Sequence, residues 1–395
     1  MRRLLLLLSL LFAAAAQAAP VPVILVSIDG FRPDYLDRNV TPHLNALAAA
    51  GTRATAMRPS WPSITFPNHY TLVTGLRPDR NGIVANTMED PAIPGVRFSM
   101  ANRDAVGDRR WWDQAEPIWV TAERAGLATA TMFWPGSEAP VHGIRPRQWM
   151  VFDDKLPEPA RVDQILAWAT QPQPPALMTL YFDSVDHAGH EAGPDAATTT
   201  DAVAAVDTQI GRLIDGLNTR GIAANIIVVS DHGMAATDPA RVVRLDLLAP
   251  QTSYRAITAG SFATIAAAPG QEAALAKVLL AKHDHMQCWP KADVPKRLHY
   301  GRNARVPAFV CLAETGWLIL PNLPTSEMKR GGAHGYDNLA PEMAATFVAA
   351  GPAFKPGTRL PAFDNVDVQP LLLRLLGLKP MRTDGSIKGV AAALR

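Results

Sequence analysis

The chain lacks most of the features that mark specialised classes of protein. Only two of its 395 residues are cysteine, which excludes a disulfide-rich scaffold. An excess of one charge is also missing, since 38 Lys and Arg face 36 Asp and Glu, and this balance argues against binding nucleic acid or a membrane surface through gross charge. With 48% hydrophobic residues and a net charge of +2, the chain is expected to fold rather than remain disordered.

Long apolar runs are absent except at the N-terminus. Residues 4–16 follow two arginines and precede an Ala-Gln-Ala sequence, which is the pattern of a signal peptide, and the run is too short to span a bilayer comfortably. We therefore predict a leader, residues 1–19, that is cleaved after Ala18 or Ala19, with an uncleaved anchor as the alternative. The mature chain is expected to be exported, periplasmic or secreted, and to have no membrane span.

Short apolar runs alternate with helical patterns along the rest of the chain. The runs Val23–Ile28, Leu177–Phe182 and 226–230 are continuously apolar or nearly so, which is typical of strands buried on both faces of a parallel sheet. We predict one α/β catalytic domain, residues 20–395, in which helices cover both faces of a mostly parallel central sheet. Residues 253–324 are expected to form an inserted subdomain.

The two cysteines, Cys288 and Cys311, both fall in the predicted insertion. In an oxidising compartment such a pair favours a disulfide. A metal site with two thiolates is the alternative, although no CxxC spacing supports it.

Acidic residues and histidines repeatedly follow the apolar strands. In open α/β sheets the crevice beyond the carboxyl ends of the strands is where ligands bind. The clusters lie at strand ends or in glycine-rich loops, and their candidate ligands are Asp29, Asp186, His190, Asp231, His232 and His334. A lone Asp-Gly after a strand is more often a turn than a ligand, and Asp-His-Gly alone is as often one as the other. Three carboxylates and three imidazoles without a thiolate, however, suit two divalent ions of the zinc type. Zinc and a neighbouring transition metal are both compatible with this ligand set.

A candidate nucleophile stands in the segment WPSITFPNHYTLVTG, residues 61–75. Thr65 precedes Phe66 and Pro67, where a helix is expected to begin, and free N–H groups at a helix start attract an anion. Thr65 could be only the N-cap of that helix. Beside a two-metal cluster, however, its hydroxyl would have a lowered pKa and could act as a nucleophile at neutral pH.

Several motifs in order resemble those of the nucleotide pyrophosphatase/phosphodiesterase family of the alkaline phosphatase superfamily. They are SIDGFRPDYL, TPHLNALAAAGT, PSITFPNHYTLVTGLRPDRNGIVANTM, EPIWVTAE, DHAGH, VVSDHGM and AHGYDN, and they extend over nearly the whole mature chain. The resemblance implies an alkaline phosphatase-like fold and two Zn²⁺ ions per chain. It implies that one ion is bound by Asp186, His190 and His334, and that the other is bound by Asp29, Thr65, Asp231 and His232, with Thr65 as the catalytic nucleophile.

The resemblance also implies how a substrate binds. Asn86 would hold a phosphate oxygen beside the backbone N–H of Phe66, while the rings of Phe66 and Tyr181 would stack on a nucleobase. A neutral amide cannot offset the second charge of a monoester, so diesters are expected to be preferred. The sequence around Thr65 lacks the pattern of a sulfatase nucleophile, in which Cys or Ser is followed by x-Pro-x-Arg.

The implied activity is hydrolysis of nucleotide diesters with release of a nucleoside 5′-monophosphate. A lipid-type or choline-type phosphodiesterase with the same two-metal site is the alternative, and a non-catalytic periplasmic binding protein is a third reading. The expected partners are small nucleotide diesters. Neither a nucleic-acid groove nor a protein partner is indicated.

Overall fold

The computed structural model describes residues 21–395, so the predicted leader lies outside the described part of the chain. The apolar runs form strands as expected: the predicted boundaries of two strands match, and 226–230 becomes Asn225–Val229. The strands are β1 Val23–Ile28, β2 Thr52–Ala54, β3 Met57–Arg58, β4 Thr87–Glu89, β5 Arg97–Ser99, β6 Thr129–Met132, β7 Gln148–Trp149, β8 Leu177–Phe182, β9 Asn225–Val229, β10 Ala235–Thr237, β11 Val242–Arg244, β12 Tyr254–Thr258, β13 Phe262–Ala267, β14 Met286–Pro290, β15 Phe309–Ala313, β16 Leu318–Leu320, β17 Gly331–Ala333, β18 Phe347–Ala350, β19 Thr358–Leu360 and β20 Phe363–Asp364.

Eight of these strands form the central sheet, in the order β19-β2-β18-β9-β1-β8-β6-β7. The strands from β9 to β7 are all parallel, while β18 runs antiparallel to both of its neighbours. The mostly parallel α/β sheet predicted from the sequence is therefore confirmed.

The helices cover both faces of this sheet. They are α1 Pro42–Ala50, α2 Thr65–Thr74, α3 Pro78–Asn81, α4 Arg103–Gly107, α5 Ile118–Arg124, α6 Glu158–Ala169, α7 Ser184–Ala192, α8 Ala197–Thr219, α9 Glu272–Leu279 and α10 Val368–Leu375. Because side chains alternate along a strand, Val23 and Leu25 of β1 pack with α2, α5 and α10, whereas Ile24 and Val26 pack with α1, α6 and α8. Burial on both faces explains why β1 reads as a continuous apolar run.

A second sheet lies within the predicted insertion. It is antiparallel, in the order β12-β13-β15-β14, and has its own buried cluster of apolar side chains. Cys288 of β14 lies directly opposite Cys311 of β15, and the two form the predicted disulfide. Among residues 21–395, no helix combines the length and apolar character needed to cross a bilayer.

Candidate active site and metal centre

Three neighbouring parallel strands bring the predicted ligands to one edge of the sheet. Strand β1 lies between β8 and β9 in matched register, and all three end at the same level. Asp29 follows β1 directly, Asp186 lies four residues beyond β8, and Asp231 with His232 lies just beyond β9. Since β8 and β9 flank β1 on opposite sides, the site lies at the kind of switch point where α/β sheets bind ligands.

The local structure around Asp186 differs from the expected loop. Asp186 and His190 lie on α7, one helical turn apart, and His190 Nε2 is 3.4 Å from Asp186 Oδ2. Residues four apart lie on the same face of a helix, so α7 presents both groups to the site while His187 points elsewhere. His187 is exposed and pairs with Glu191, in agreement with its exclusion from the predicted ligands.

Three histidines present the same ring nitrogen to the site. Nδ1 of His190, His232 and His334 is 2.8–3.1 Å from a backbone carbonyl: Gly332, Gly233 and Ser63, respectively. A carbonyl only accepts, so each Nδ1 carries a hydrogen, and in the neutral form of each ring Nε2 keeps the lone pair that can bind a metal ion. The Nε2 atoms of His190 and His334 face each other at 3.0 Å, close enough for both to bind the same cation.

The six candidate ligands divide into two adjoining groups. His334 Nε2 is 3.6 Å from Asp186 Oδ1, so Asp186, His190 and His334 form the first group. In the second group, His232 Nε2 is 3.0 Å from Asp231 Oδ2 and 3.4 Å from Asp29 Oδ1. The imidazoles of His232 and His334 stack with ring centroids 3.5 Å apart, so the two groups adjoin.

Three carboxylate oxygens in this cluster are buried without a hydrogen-bond partner in the described chain. They are Asp29 Oδ1, Asp186 Oδ1 and Asp231 Oδ2. A buried charge without a partner destabilises the folded protein, so such oxygens favour binding of a cation. The nitrogen and oxygen donors fit two divalent transition-metal ions of the zinc type.

The charges of the cluster are distributed unevenly. Burial, reinforced by the charges of Asp231 and Asp186, raises the pKa of Asp29 well above its usual range. Burial also opposes ionisation of Asp231, but the imidazoles of His232 and His69 outweigh it and hold the pKa of Asp231 well below its usual range. Burial and the neighbouring imidazoles lower the pKa of His334, which keeps it neutral. In the protein alone, the surroundings therefore favour ionisation of Asp231 and oppose ionisation of Asp29.

Thr65 is the first residue of α2, and its hydroxyl does not cap the helix. The capping position is Ile64, and no side-chain bond closes the helix start. Thr65 Oγ1 instead lies 3.4 Å from His232 Nε2, beside the second ligand group. The N-cap interpretation is therefore wrong, and the hydroxyl lies beside the candidate metal ligands instead.

Asn86 lies beside the start of the same helix. Its Oδ1 accepts a hydrogen bond of 2.9 Å from the backbone N–H of Phe66. The two groups expected to bind a phosphate oxygen are thus adjacent but bonded to each other. This bond leaves Asn86 Nδ2 as the donor available to a substrate.

A narrow cavity of about 220 Å³ extends from the ligand groups. Phe66 and Tyr181 both line it, together with apolar residues such as Phe133 and Phe152. The Tyr181 hydroxyl donates a 2.6 Å hydrogen bond to Asp29 Oδ2, so this residue holds a candidate metal ligand as well as lining the cavity. The sequence interpretation gave Tyr181 only the second of these roles.

His69 is a site residue that sequence reasoning missed. It is fully buried, and its Nε2 is 2.8 Å from Ser27 Oγ. Its Nδ1, however, is 2.9 Å from the carbonyl oxygen of Thr65 and 3.4 Å from Asp231 Oδ2. His69 therefore links the backbone of the candidate nucleophile to a candidate ligand. Its position one turn after Thr65 was the available signal.

The fold and the site define an α/β protein with a candidate two-ion centre beside a threonine hydroxyl. Residues 23–337 match the family described as Type I phosphodiesterase / nucleotide pyrophosphatase, and the chain belongs to this family. It is accordingly a hydrolase that acts on phosphodiester or pyrophosphate bonds.

Two curated relatives match nearly the whole chain. An uncharacterized pyrophosphatase/phosphodiesterase of Schizosaccharomyces pombe is 38% identical over 93% of this chain and 79% of its own length. Human ectonucleotide pyrophosphatase/phosphodiesterase family member 5 is 34% identical over 97% and 80%, respectively. Among solved structures, murine ectonucleotide pyrophosphatase/phosphodiesterase 5 superposes with a TM-score of 0.91 at 35% identity, covering 95% of this chain and all of that one. The fold is therefore shared along with the sequence.

Proposed function

We propose that the protein hydrolyses nucleotide diesters and pyrophosphates in two steps through a phosphothreonine-type intermediate at Thr65, in which the nucleoside phosphate is esterified to the threonine oxygen. The observation that carries the proposal is the position of Thr65 Oγ1 at the start of α2, 3.4 Å from a candidate ligand nitrogen and not used as a cap. Thr65 Oγ1 forms a bond to phosphorus while the leaving oxygen departs in line with its electron pair. A water molecule then hydrolyses the bond between the threonine oxygen and phosphorus, which releases the nucleoside 5′-monophosphate and regenerates the hydroxyl.

The proposal includes two Zn²⁺ ions, one for each ligand group. When bound, they lower the pKa of the Thr65 hydroxyl and offset charge on the phosphoryl oxygens. Two Zn²⁺ ions (+4) and the carboxylates of Asp29, Asp186 and Asp231 (−3) sum to +1. A singly charged diester is thus attracted to the site. The neutral Asn86 amide carries no positive charge that would offset the second negative charge of a monoester.

The nucleotide character of the substrate rests on the cavity and on the relatives. Phe66 supplies an aromatic face, and Tyr181 lines the same narrow space. Stacking on such rings contributes about 1–3 kcal/mol per base. The murine relative was solved as an inactive threonine-to-alanine variant in complex with AMP, and a bovine relative at 33% identity is named bis(5′-adenosyl)-triphosphatase. Both support a nucleoside 5′-monophosphate as the product.

We also propose that the mature protein lies outside the cytoplasm.

The decisive experiment replaces Thr65 by alanine. We expect hydrolysis of p-nitrophenyl thymidine monophosphate to fall by about a thousandfold or more, because the nucleophile is gone. Bound metal and thermal stability should remain close to those of the wild type. The matched control is Thr74→Ala at the other end of α2, which removes the same atoms from a buried position away from the site and should keep most of the activity. A Thr65→Ala protein that turns over near the wild-type rate would show that water attacks directly.

The choice of substrate is tested separately. We expect ATP and the thymidine ester to be hydrolysed faster than glycerophosphocholine, because the cavity presents aromatic faces. Faster hydrolysis of the choline ester would favour the lipid-type or choline-type alternative. A protein that binds fewer than two metal ions and hydrolyses none of the three would favour a non-catalytic binding protein.

A further inference from the structure

A second cavity, of about 390 Å³, lies at the junction between the central domain and the inserted sheet. It is near the opposite end of α2 from Thr65, because Arg77 lines it and follows the last residue of that helix by three positions. A ten-residue helix is about 15 Å long, so this cavity is separate from the candidate metal centre.

The cavity has a pronounced excess of positive charge. Its lining includes five cationic side chains: Arg77, Arg80, Lys291, Lys296 and Arg302. Two carboxylates line it, Asp79 and Asp384, and a third, Asp364, pairs with Arg77 at 2.8 Å, which leaves a local excess of +2. After removal of the two leader arginines, the chain has 36 basic and 36 acidic residues, so this excess is a local feature of the fold.

The two carboxylates are already occupied by other partners. Asp79 Oδ1 accepts hydrogen bonds of 2.8–3.1 Å from the backbone N–H groups of Gly301, Arg302 and Asn303. Asp384 pairs with the guanidinium of Arg80 and also accepts from the backbone N–H of Arg77. Neither carboxylate is therefore free to neutralise the remaining cations.

Three cations remain without an ion pair in the described part of the chain: Lys291, Lys296 and Arg302. Lys291 Nζ donates only to the carbonyl of Val306, at 3.1 Å. Lys296 and Arg302 are exposed at the cavity, and their side chains make no hydrogen bond within residues 21–395. Burial and the charge of Arg77 lower the pKa of His299, which also lines the cavity.

The segment that carries these cations has a fixed backbone. His299 adopts a left-handed conformation with φ of 50°, and Gly301 has φ of 108°. A Cβ atom on Gly301 would lie 2.0 Å from the carbonyl oxygen of Lys291, so only glycine fits there. Together with the three N–H bonds to Asp79, this packing fixes the backbone from which the Arg302 side chain extends into the cavity.

We propose that this cavity binds a small phosphate-bearing anion from solution, at a site distinct from the metal centre. An ammonium and a guanidinium group form strong, short hydrogen bonds to phosphate oxygens, and the unpaired set contains both kinds. The volume lies within the range of small-ligand sites. The required ligand chemistry is a compact, multiply charged phosphate group without any demand for a base or sugar.

The test uses the metal-loaded mature protein and inorganic pyrophosphate, with inorganic phosphate as the second probe, in isothermal titration calorimetry. Binding that persists after a chelator removes the metal ions belongs to the basic cavity. The double variant Lys296→Ala/Arg302→Ala is expected to weaken this binding by roughly tenfold or more. It should leave hydrolysis of a nucleotide diester unchanged, because neither residue belongs to the candidate active site. The control is Arg220→Ala/Lys388→Ala, which removes two exposed cations elsewhere and should bind as the wild type does.

Three results would overturn the proposal. The first is pyrophosphate binding by the double variant with wild-type affinity. The second is an equal loss of affinity in the control, which would indicate that only net charge matters. The third is loss of all binding on chelation, which would assign the anion to the metal centre. The proposed phosphodiesterase activity is measured independently of all three.

Discussion

The metal-free protein is expected to become more stable when Asp29 is replaced by asparagine. Asp29 is almost fully buried, its Oδ1 has no partner among the described residues, and it shares His232 with the ionised Asp231. Asparagine has the same shape, can still accept the hydrogen bond from Tyr181, and carries no charge. The substitution therefore removes the negative charge that the surroundings of Asp29 oppose.

The size of the effect follows from the geometry. Ligand atoms of Asp29 and Asp231 lie within 4.8 Å of each other. Two like charges at about 4 Å repel by about 4 kcal/mol at an effective dielectric constant near 20. The neighbouring imidazoles offset part of this, so we expect the metal-free variant to gain about 1–2 kcal/mol. In a chain of this size that corresponds to a rise in Tm of about 1–4 °C.

The effect has a defined pH dependence. The pKa of Asp29 is raised in the folded protein. The loss of stability that the Asp29 charge causes in the wild type is therefore absent below the pKa of Asp29 in the unfolded chain, near pH 4. This loss of stability increases as the pH rises above 4 and reaches its full size above the pKa of Asp29 in the folded protein. The advantage of Asp29→Asn should therefore be largest at neutral pH and disappear near pH 4.

Thermal unfolding followed by circular dichroism, with a chelator present, measures this difference. Asp207→Asn is the control, because burial also raises the pKa of Asp207 but both of its oxygens accept backbone N–H groups, from His43 and Leu44. That variant should lose stability. Excess zinc should make the wild type more stable than Asp29→Asn. The wild type binds the ion more tightly, and a zinc concentration of a thousand times Kd stabilises it by about 4 kcal/mol. If the chelated Asp29→Asn protein is no more stable than the wild type at neutral pH, the repulsion argument is refuted.

Two further substitutions separate roles within the site. Tyr181→Phe should lower zinc affinity by about tenfold, because it removes the hydroxyl that holds Asp29 Oδ2, while KM for a nucleotide diester stays the same because the ring remains. A competition titration with a zinc indicator measures the zinc affinity. A higher KM with unchanged zinc affinity would make Tyr181 only a stacking residue. Asn86→Arg should raise the ratio of kcat/KM for p-nitrophenyl phosphate to that for p-nitrophenyl thymidine monophosphate, because it supplies a charge for the monoester. An unchanged ratio would contradict the charge argument for diester preference.

The sequence predicted the central sheet because local and global signals agree there. A strand that is buried on both faces must be apolar throughout, and β1, β8 and β9 therefore stand out even in isolation. The disulfide was also predictable, since the chain has only two cysteines. The placement of Asp186 and His190 on a helix was not predicted, because DHAGH contains a glycine and two histidines and has no strong helical pattern of its own.

The residue types that meet at the candidate site could be predicted from the sequence, but the hydrogen bonds that connect them could not. Residue types at strand ends indicate a metal centre, whereas the proton position on each imidazole depends on carbonyl oxygens of Gly233, Gly332 and Ser63, which have no side-chain signature. The role of Tyr181 likewise depends on a contact between residues 152 positions apart. Such contacts are products of tertiary packing, and a single sequence does not reveal them.

These hydrogen bonds also explain how four separate segments of the chain can form one site of fixed geometry. Each imidazole is oriented by a backbone carbonyl, which cannot change its protonation state and moves only if the fold moves. Asp29 is held by Tyr181, and His69 ties Asp231 to the carbonyl of Thr65. The ligand atoms are thus fixed before any ion binds, while their unpaired oxygens destabilise the metal-free protein. The same buried carboxylates that lower the stability of the empty site are therefore what should make its affinity for divalent ions high.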